Sequence, residues 1–308
     1  MKKVLLMALF FFLISQGPAV GQVDILVIQS IRVKPYEDAL TGFQSVNQAR
    51  FRRLVLSEMA ATDVKKRIHE IRPAMILAIG EEALSSVKAI ETIPIVYLMV
   101  LNPQSIILEE KNIIGISMHI PQDNQLAVLI ESLPHVNSVG LLYHPDRTGP
   151  FIKGAQKAAE EIGVKLIAQK IYDAKEAPAL IMSMKERIDV FWMIPDITVI
   201  TPETVEFLLL FSIKNRIPLF TFSEKYVEMG AFMSMDIDAF DMGRQAAEMA
   251  ERIRVGKTAD HISPVYARKA IVSKNLMIAK KLGIYLPTAI AGDMKSNQKV
   301  LRISHVIN

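Results

Sequence analysis

The chain has no cysteine. Disulfides, thiolate metal sites, cysteine nucleophiles and a lipid-bearing leader cysteine are all excluded. It has one tryptophan and only 14 glycines in 308 residues. No glycine-rich phosphate loop occurs, neither a Walker A run nor GxGxxG, and no Gly-x-Ser-x-Gly elbow. The six histidines, His69, His119, His135, His144, His261 and His305, show no HxH or HExxH spacing, so no metal ion or other cofactor is expected. The excess of positive over negative charge is also small. The net charge is +4, with basic and acidic residues interspersed as in Glu248, Glu251, Arg252 and Arg254. No basic stripe interleaved with aromatics marks a nucleic-acid partner.

One apolar run stands out, Val4 to Ile14 behind Lys2 and Lys3. It is too short to span a bilayer as a permanent helix. Ala19 and Gly21 follow in small-x-small spacing, the pattern of a cleavable secretory leader ending at residue 21. Without the two leader lysines the net charge is near +2. Export without a lipid anchor or disulfides points to a periplasmic protein, and a chain of this length buries enough apolar surface to be stable without cross-links.

The remaining sequence repeats one cycle: a short apolar run, a loop, an amphipathic segment. Strands are expected at 24–29, 53–58 (weaker), 74–79, 94–99, 112–117, 138–143, 165–171, 189–194, 218–222 and 231–236. Helices are expected at 35–49, 62–71, 81–89, 122–132, 151–162, 178–186, 201–214 and 239–255. Strands that are apolar throughout are buried on both faces. Their alternation with helices predicts βαβ units and parallel sheets. Two rounds of the cycle predict an α/β protein of two doubly wound lobes. Ile93-Pro94-Ile95-Val96 and Ile217-Pro218-Leu219-Phe220 occupy matching places in the two rounds. Gly243, Ala246, Ala247 and Ala250 form a small-residue face that can pack close on a sheet. Beyond about residue 290 the chain is polar and aperiodic, and a mobile tail over 291–308 is expected.

An ordered series of phrases resembles a known family, the ABC-transporter solute receptors that include tryptophan- and tyrosine-binding members. The phrases are Ile76-Leu77-Ala78-Ile79-Gly80, Thr92-Ile93-Pro94-Ile95-Val96, Asn112-Ile113-Ile114-Gly115-Ile116-Ser117, Val139-Gly140-Leu141-Leu142-Tyr143, Ile217-Pro218-Leu219-Phe220, Gly243-Arg244-Gln245-Ala246-Ala247 and Ala279-Lys280-Lys281-Leu282-Gly283. Order and spacing agree over roughly residues 24 to 287. The resemblance implies a type I periplasmic-binding fold whose lobes are joined by three crossing strands. Lobe one is then 22–118 with 233–262, and lobe two 119–232 with 263–290. Crossings are expected near 117–121, 231–235 and 261–265. It also implies a monomeric, non-enzymatic receptor that closes on a small molecule and hands it to an ABC permease. A ligand-sensing module of the same fold, coupled to a signalling partner, is the alternative. Three features depart from the family pattern: Glu81-Glu82 after Ile-Gly, a short segment between Phe43 and Leu77, and the apolar loop Val100-Leu101-Asn102-Pro103. They leave the ligand open within amino-acid-like and aromatic solutes.

Ligands of open α/β sheets bind at the carboxyl ends of strands. The candidate contacts are therefore Ser30, Gly80, Glu81, Asn102, Tyr143, His144, Asp196, Ser223 and Glu224. Gly80 opens a helix whose backbone N–H groups suit an anion. Glu81 and Glu82 are either first-turn acids or contacts for a cationic group. Asp196 either takes a ligand ammonium or caps the segment that follows it. Tyr143 and His144 either stack on a ring or form an uninvolved wall. Trp192 and the methionines read as core.

Overall fold

The computed structural model describes residues 24–59, 63–108, 110–256, 265–285 and 300–307. The expected leader, the third expected crossing apart from Val265, and residues 291–299 of the expected tail lie outside the described residues.

The elements in chain order begin with β1 (Ile25–Gln29), α1 (Lys34–Val46), β2 (Phe51–Val55), α2 (Asp63–Ile71), β3 (Met75–Ile79), α3 (Glu81–Val87), β4 (Ile95–Leu98) and β5 (Ile113–Ser117). There follow α4 (Gln122–Ser132), β6 (Ser138–Tyr143), α5 (Pro145–Glu161), β7 (Lys165–Lys170), α6 (Ala177–Ser183), β8 (Val190–Met193), α7 (Pro202–Asn215), β9 (Leu219–Thr221) and α8 (Glu224–Met229). The chain continues through β10 (Met233–Ile237), α9 (Ala239–Arg254), β11 (Val265–Tyr266), β12 (Lys269–Asn275), α10 (Leu276–Leu282) and β13 (Val300–Val306).

Two sheets result. The first has the order β11-β5-β4-β3-β1-β2, and the second β13-β12-β10-β9-β8-β6-β7. β1 to β5 pair in parallel, and so do β6 to β10. The same 2-1-3-4-5 order appears in each set, the doubly wound arrangement with its topological switch between the first and third strands. Ile93–Val96 and Ile217–Phe220 enter equivalent fourth strands, β4 and β9, so the repeated phrase marks a real internal correspondence. In the second sheet β12 and β13 add antiparallel pairs at one edge.

β1 and β3 are buried at every position. Their Leu26, Ile28, Ile76 and Ala78 pack with Val64, Leu84 and Val87 of α2 and α3. Each fully buried aliphatic side chain of this kind contributes about 2 kcal/mol. The second sheet has cores on both faces. One gathers Val139, Leu141, Trp192, Phe220, Met233 and Val272 with α4, α5 and α10. The other gathers Leu142, Phe191, Met193 and Leu219 with α6 and α7. Trp192 is 1 % exposed and stacks on Phe220 at 6.1 Å, a core residue as expected.

The described residues form two compact units. Those up to Met118 with Met242–Val265 make one, and those from His119 to Asp241 with Tyr266 onward make the other. The chain thus passes between units after Met118, Asp241 and Val265. The expected second crossing at 231–235 is corrected: Met233 pairs with Phe220 of β9 and Lys274 of β12, so β10 belongs to the second sheet. The passage comes within the first turn of α9. Nothing in the strand's own pattern says which sheet it joins, because only its partners decide that.

Two further expectations change. The tail includes β13, which pairs antiparallel with all of β12. Its half-buried Leu301, Ile303 and His305 alternate with exposed Arg302, Ser304 and Val306. And α5 starts at Pro145, not at 151, with His144 as N-cap and Pro150 inside the helix. The small-residue face of α9, expected to lie against a sheet, meets a helix at Gly243: a β-carbon there would stand 1.9 Å from the Ala39 carbonyl oxygen of α1.

Candidate functional site

Ser30, at the end of β1, and Gly80, at the end of β3, flank the switch point of the first sheet. The Ser30 amide donates to the Ile79 carbonyl at 3.0 Å. Its hydroxyl accepts from the Ala83 amide at 3.0 Å, so Ser30 caps α3 from outside the helix. Gly80 has φ 96°, and a β-carbon there would meet the Ser30 hydroxyl and the Tyr36 ring within 2.8 Å. Only glycine fits both the torsion and the space. Burial raises the Tyr36 hydroxyl pKa, and the charges of Glu82 and Glu81 raise it further. With one N–H of the seven-residue α3 taken by Ser30 and two acids in its first turn, this edge repels an anion. Asn102 lies beyond β4, after the left-handed Met99 (φ 58°). The Asn102 side chain makes no capping bond to the short turn that follows it.

The second unit repeats the arrangement. Its switch point lies between β6 and β8, where His144 and Asp196 meet. The His144 amide donates to Asp196 Oδ2 at 2.8 Å, and the Thr148 hydroxyl donates to the same oxygen. The Thr198 amide donates to Oδ1 at 2.9 Å. Asp196 is 1 % exposed, and its three bonds tie the loop after β8 to the start of α5. Capping is therefore its visible role. The Asp146 amide donates to His144 Nδ1 at 3.3 Å, which leaves Nε2 as the donor of the neutral ring. The exposed Tyr172, beyond β7, packs edge-on to the His144 ring at 5.6 Å. Tyr143 is half-buried beside them, packed against the core.

Ser223 precedes α8, and Glu224 opens it. The Glu224 carboxylate pairs with Arg302 of β13. Its amide donates to Asp236 Oδ2 of β10 at 2.6 Å. Burial pushes the Asp236 carboxyl up to about 6, the neighbouring Glu224 charge adding to the effect against the backbone bond. The sequence reading passed over Tyr36, Tyr172 and Asp236. Tyr36 sits in a helix and Asp236 in a methionine-rich strand, and only the pairing of β10 beside β9 brings Asp236 to Glu224.

The candidates thus form one set per unit, each at the carboxyl edge of its parallel strands. A hollow of about 760 Å³ lined by Glu91, Leu108, Glu110, Lys111 and Asn112 lies at the opposite, amino ends of β4 and β5. Among the described residues no group of three or more His, Cys, Asp or Glu could hold a metal ion. No helix among them is long and apolar enough to cross a membrane.

The family model for ABC transporter substrate binding proteins matches residues 47–297. The chain belongs to that family. Among solved structures, this ABC substrate-binding protein resembles the ligand-free, open form of CD0873, a substrate binding protein with adhesive properties from Clostridium difficile. Identity is 20 %, TM-score 0.74, and the match covers 90 % of this chain and 97 % of that one. It resembles a conserved domain protein from Vibrio cholerae at 22 % identity and TM-score 0.60, covering 87 % and 97 %. The ABC domain from Streptococcus pneumoniae in complex with L-Trp matches at 19 % and 0.59, covering 88 % and 97 %. These likenesses establish the type I periplasmic-binding fold of this substrate-binding protein. No curated protein matches the chain.

Proposed function

We propose that this substrate-binding protein is an exported, periplasmic receptor of an ABC importer. It binds a small amino-acid-like or aromatic solute through Ser30, Gly80, Glu81 and Asn102 on one unit and Tyr143, His144, Ser223 and Glu224 on the other. It works as a monomer, without catalysis, and hands the solute to a membrane permease. The observation that carries this reading is the matched pair of switch points. Two parallel sheets of the same order each present polar and aromatic groups at the carboxyl edge, where doubly wound folds take ligands. A solute that touches both units only when they close shifts the open–closed balance by its differential affinity. The acids at Glu81 and Glu82 favour a solute carrying a positive group, and the Tyr172–His144 ledge favours a planar one.

The test is a thermal-shift screen against amino acids, aromatic acids, amines, purines and sugars. A ligand at a hundred times its Kd adds about 2.7 kcal/mol of stability. A raised midpoint with one chemical class supports the receptor. Folded, ligand-free protein that responds to none of them removes it. A second reading is a sensor coupled to a signalling partner. A chain of the XylFII–LytSN complex shares the fold at 14 % identity and TM-score 0.60. A pull-down from the native membrane that yields a signalling partner and no permease would favour this reading.

A further inference from the structure

We propose that Asp236, not Asp196, is the acidic residue that takes the protonated amine of the solute. The proposal rests on the receptor reading and adds the residue that selects among solutes. Asp196 is closed to a solute: both of its oxygens accept hydrogen bonds from within the protein, three in all, and it is 1 % exposed. Asp236 differs at each point. It stands next to the last residue of β10, at the same edge as Ser223 and Glu224, and is only partly buried. Its Oδ2 accepts from the Glu224 amide, while Oδ1 has no partner among the described residues.

Among the described residues no cation pairs with it. The neighbouring Arg302 is engaged by Glu224, and Lys225 lies over the Tyr226 ring, 5.9 Å from its centroid. Asp236, Glu224 and Arg302 together leave one uncompensated negative charge at a partly desolvated edge. Such a charge is costly until a cation meets it.

A buried row of hydroxyls continues inward from that edge. Thr221, Ser234 and Ser273 are register partners across β9, β10 and β12. All three are at most 1 % exposed, and among the described residues none of their hydroxyls has a hydrogen-bond partner. Ser234 is two residues from Asp236 on one strand, so the row lies on the face that carries the carboxylate. An ammonium brings three donors and no acceptor. A free carboxylate oxygen backed by unpaired hydroxyl acceptors is the complement of that group. Two carboxylates without a third ligand make a poor metal site, which sets an amine above a metal ion.

The test uses matched pairs, each an amine with an uncharged-at-that-position analogue: L-tryptophan and indole-3-propionate, L-leucine and 4-methylpentanoate, and putrescine with its hydroxyl isostere 1,4-butanediol. Calorimetry on the wild type is expected to favour the amine of a binding pair by about 10- to 100-fold, the range of a charge-assisted hydrogen bond. Asp236→Asn keeps an acceptor for the Glu224 amide and is expected to fold. It should bring the two members of the pair within threefold, and Asp236→Glu should restore part of the preference. A general loosening of structure would weaken both members alike. Preference retained in Asp236→Asn, or lost instead in a folded Asp196→Asn, overturns the assignment and leaves the receptor reading intact. Binding indifferent to the amine in the wild type does the same. No binding in this panel or the wider screen overturns both.

Discussion

The Ser30 hydroxyl stands 2.6 Å from the point a β-carbon on Gly80 would occupy. That single approach joins the ends of β1 and β3 at the switch point of the first sheet. Gly80→Ala must displace Ser30 or the Tyr36 ring and also hold alanine at φ 96°. The expected cost is about 3 kcal/mol, read from the midpoint of urea unfolding. Ser30→Ala removes only the acceptor for the Ala83 amide, a cap worth about 1 kcal/mol. If Gly80→Ala unfolds at the wild-type midpoint, the packing described at this edge is wrong.

In the second unit the equivalent bond runs from the His144 amide to Asp196. Asp196→Ala orphans that amide and the Thr198 amide at a largely buried site and leaves the Thr148 hydroxyl only its 3.3 Å bond to the His144 carbonyl. A loss of about 3 kcal/mol is expected, with the start of α5 losing protection in hydrogen exchange before the rest of the unit. Protection lost uniformly would argue against Asp196 as a local tie.

Asp236 carries a pH dependence of definite sign. Its carboxyl keeps a proton in the fold up to about pH 6, against an ordinary value of 3.8. Between those values the folded state binds more protons than the unfolded chain, so this contribution to stability falls as pH rises through the window. The loss amounts to about 3 kcal/mol above pH 6. Glu37, held down by hydrogen bonding to Arg53, works in the opposite sense and loses its contribution as pH falls through its folded pKa. The difference between wild type and Asp236→Asn isolates the first effect. The variant should be the more stable at pH 7, with the gap closing by about pH 4. A gap independent of pH would sink this account.

Gly243→Ala drives a methyl group into the Ala39 carbonyl. Because the obstacle is backbone, α1 and α9 must separate. A cost of about 3 kcal/mol is expected from overpacking, with a lowered Tm in calorimetry. Gly163→Ala, where a β-carbon meets nothing within 4 Å but φ is 73°, is the control for torsion without crowding. It should cost about 1 kcal/mol.

Removing residues 300–308 strips β13 from β12 and bares a row of backbone N–H and C=O groups. The truncated chain should show faster amide exchange in Lys269–Asn275 and concentration-dependent association. Unchanged exchange there would mean that β13 adds nothing to the sheet.

Much of the fold was legible because it follows from local rules. The wholly apolar runs of β1 and β3 announce strands buried on both faces. Thr201-Pro202 announces the start of α7, where the Thr201 hydroxyl accepts from the Thr204 amide. The repeated Ile-Pro phrase announces two rounds of one topology. Some local signals misled. Gly149-Pro150 reads as a break, yet α5 runs through it because Pro145 and the His144 cap start the helix earlier. β13 passes as tail because Val300 and Val306 fall out of phase with Leu301 and Ile303.

The class could be read along the chain: alternating buried strands and helices in two rounds, and the strand ends at which Ser30, Gly80, His144 and Asp196 lie. Hydrophobic period and helix caps act within a few residues, so they can be read along the chain. Which of those side chains stay open to a partner depends on the packed fold. Asp196 was the better candidate by position, but His144, Thr148 and Thr198 exhaust it across up to 52 residues of sequence. Asp236 gains its neighbours from β9, α8 and β12, and β10 itself could be placed only by its partners. Hydrogen-bond satisfaction and burial are sums over neighbours that are distant in sequence, and no local pattern encodes them.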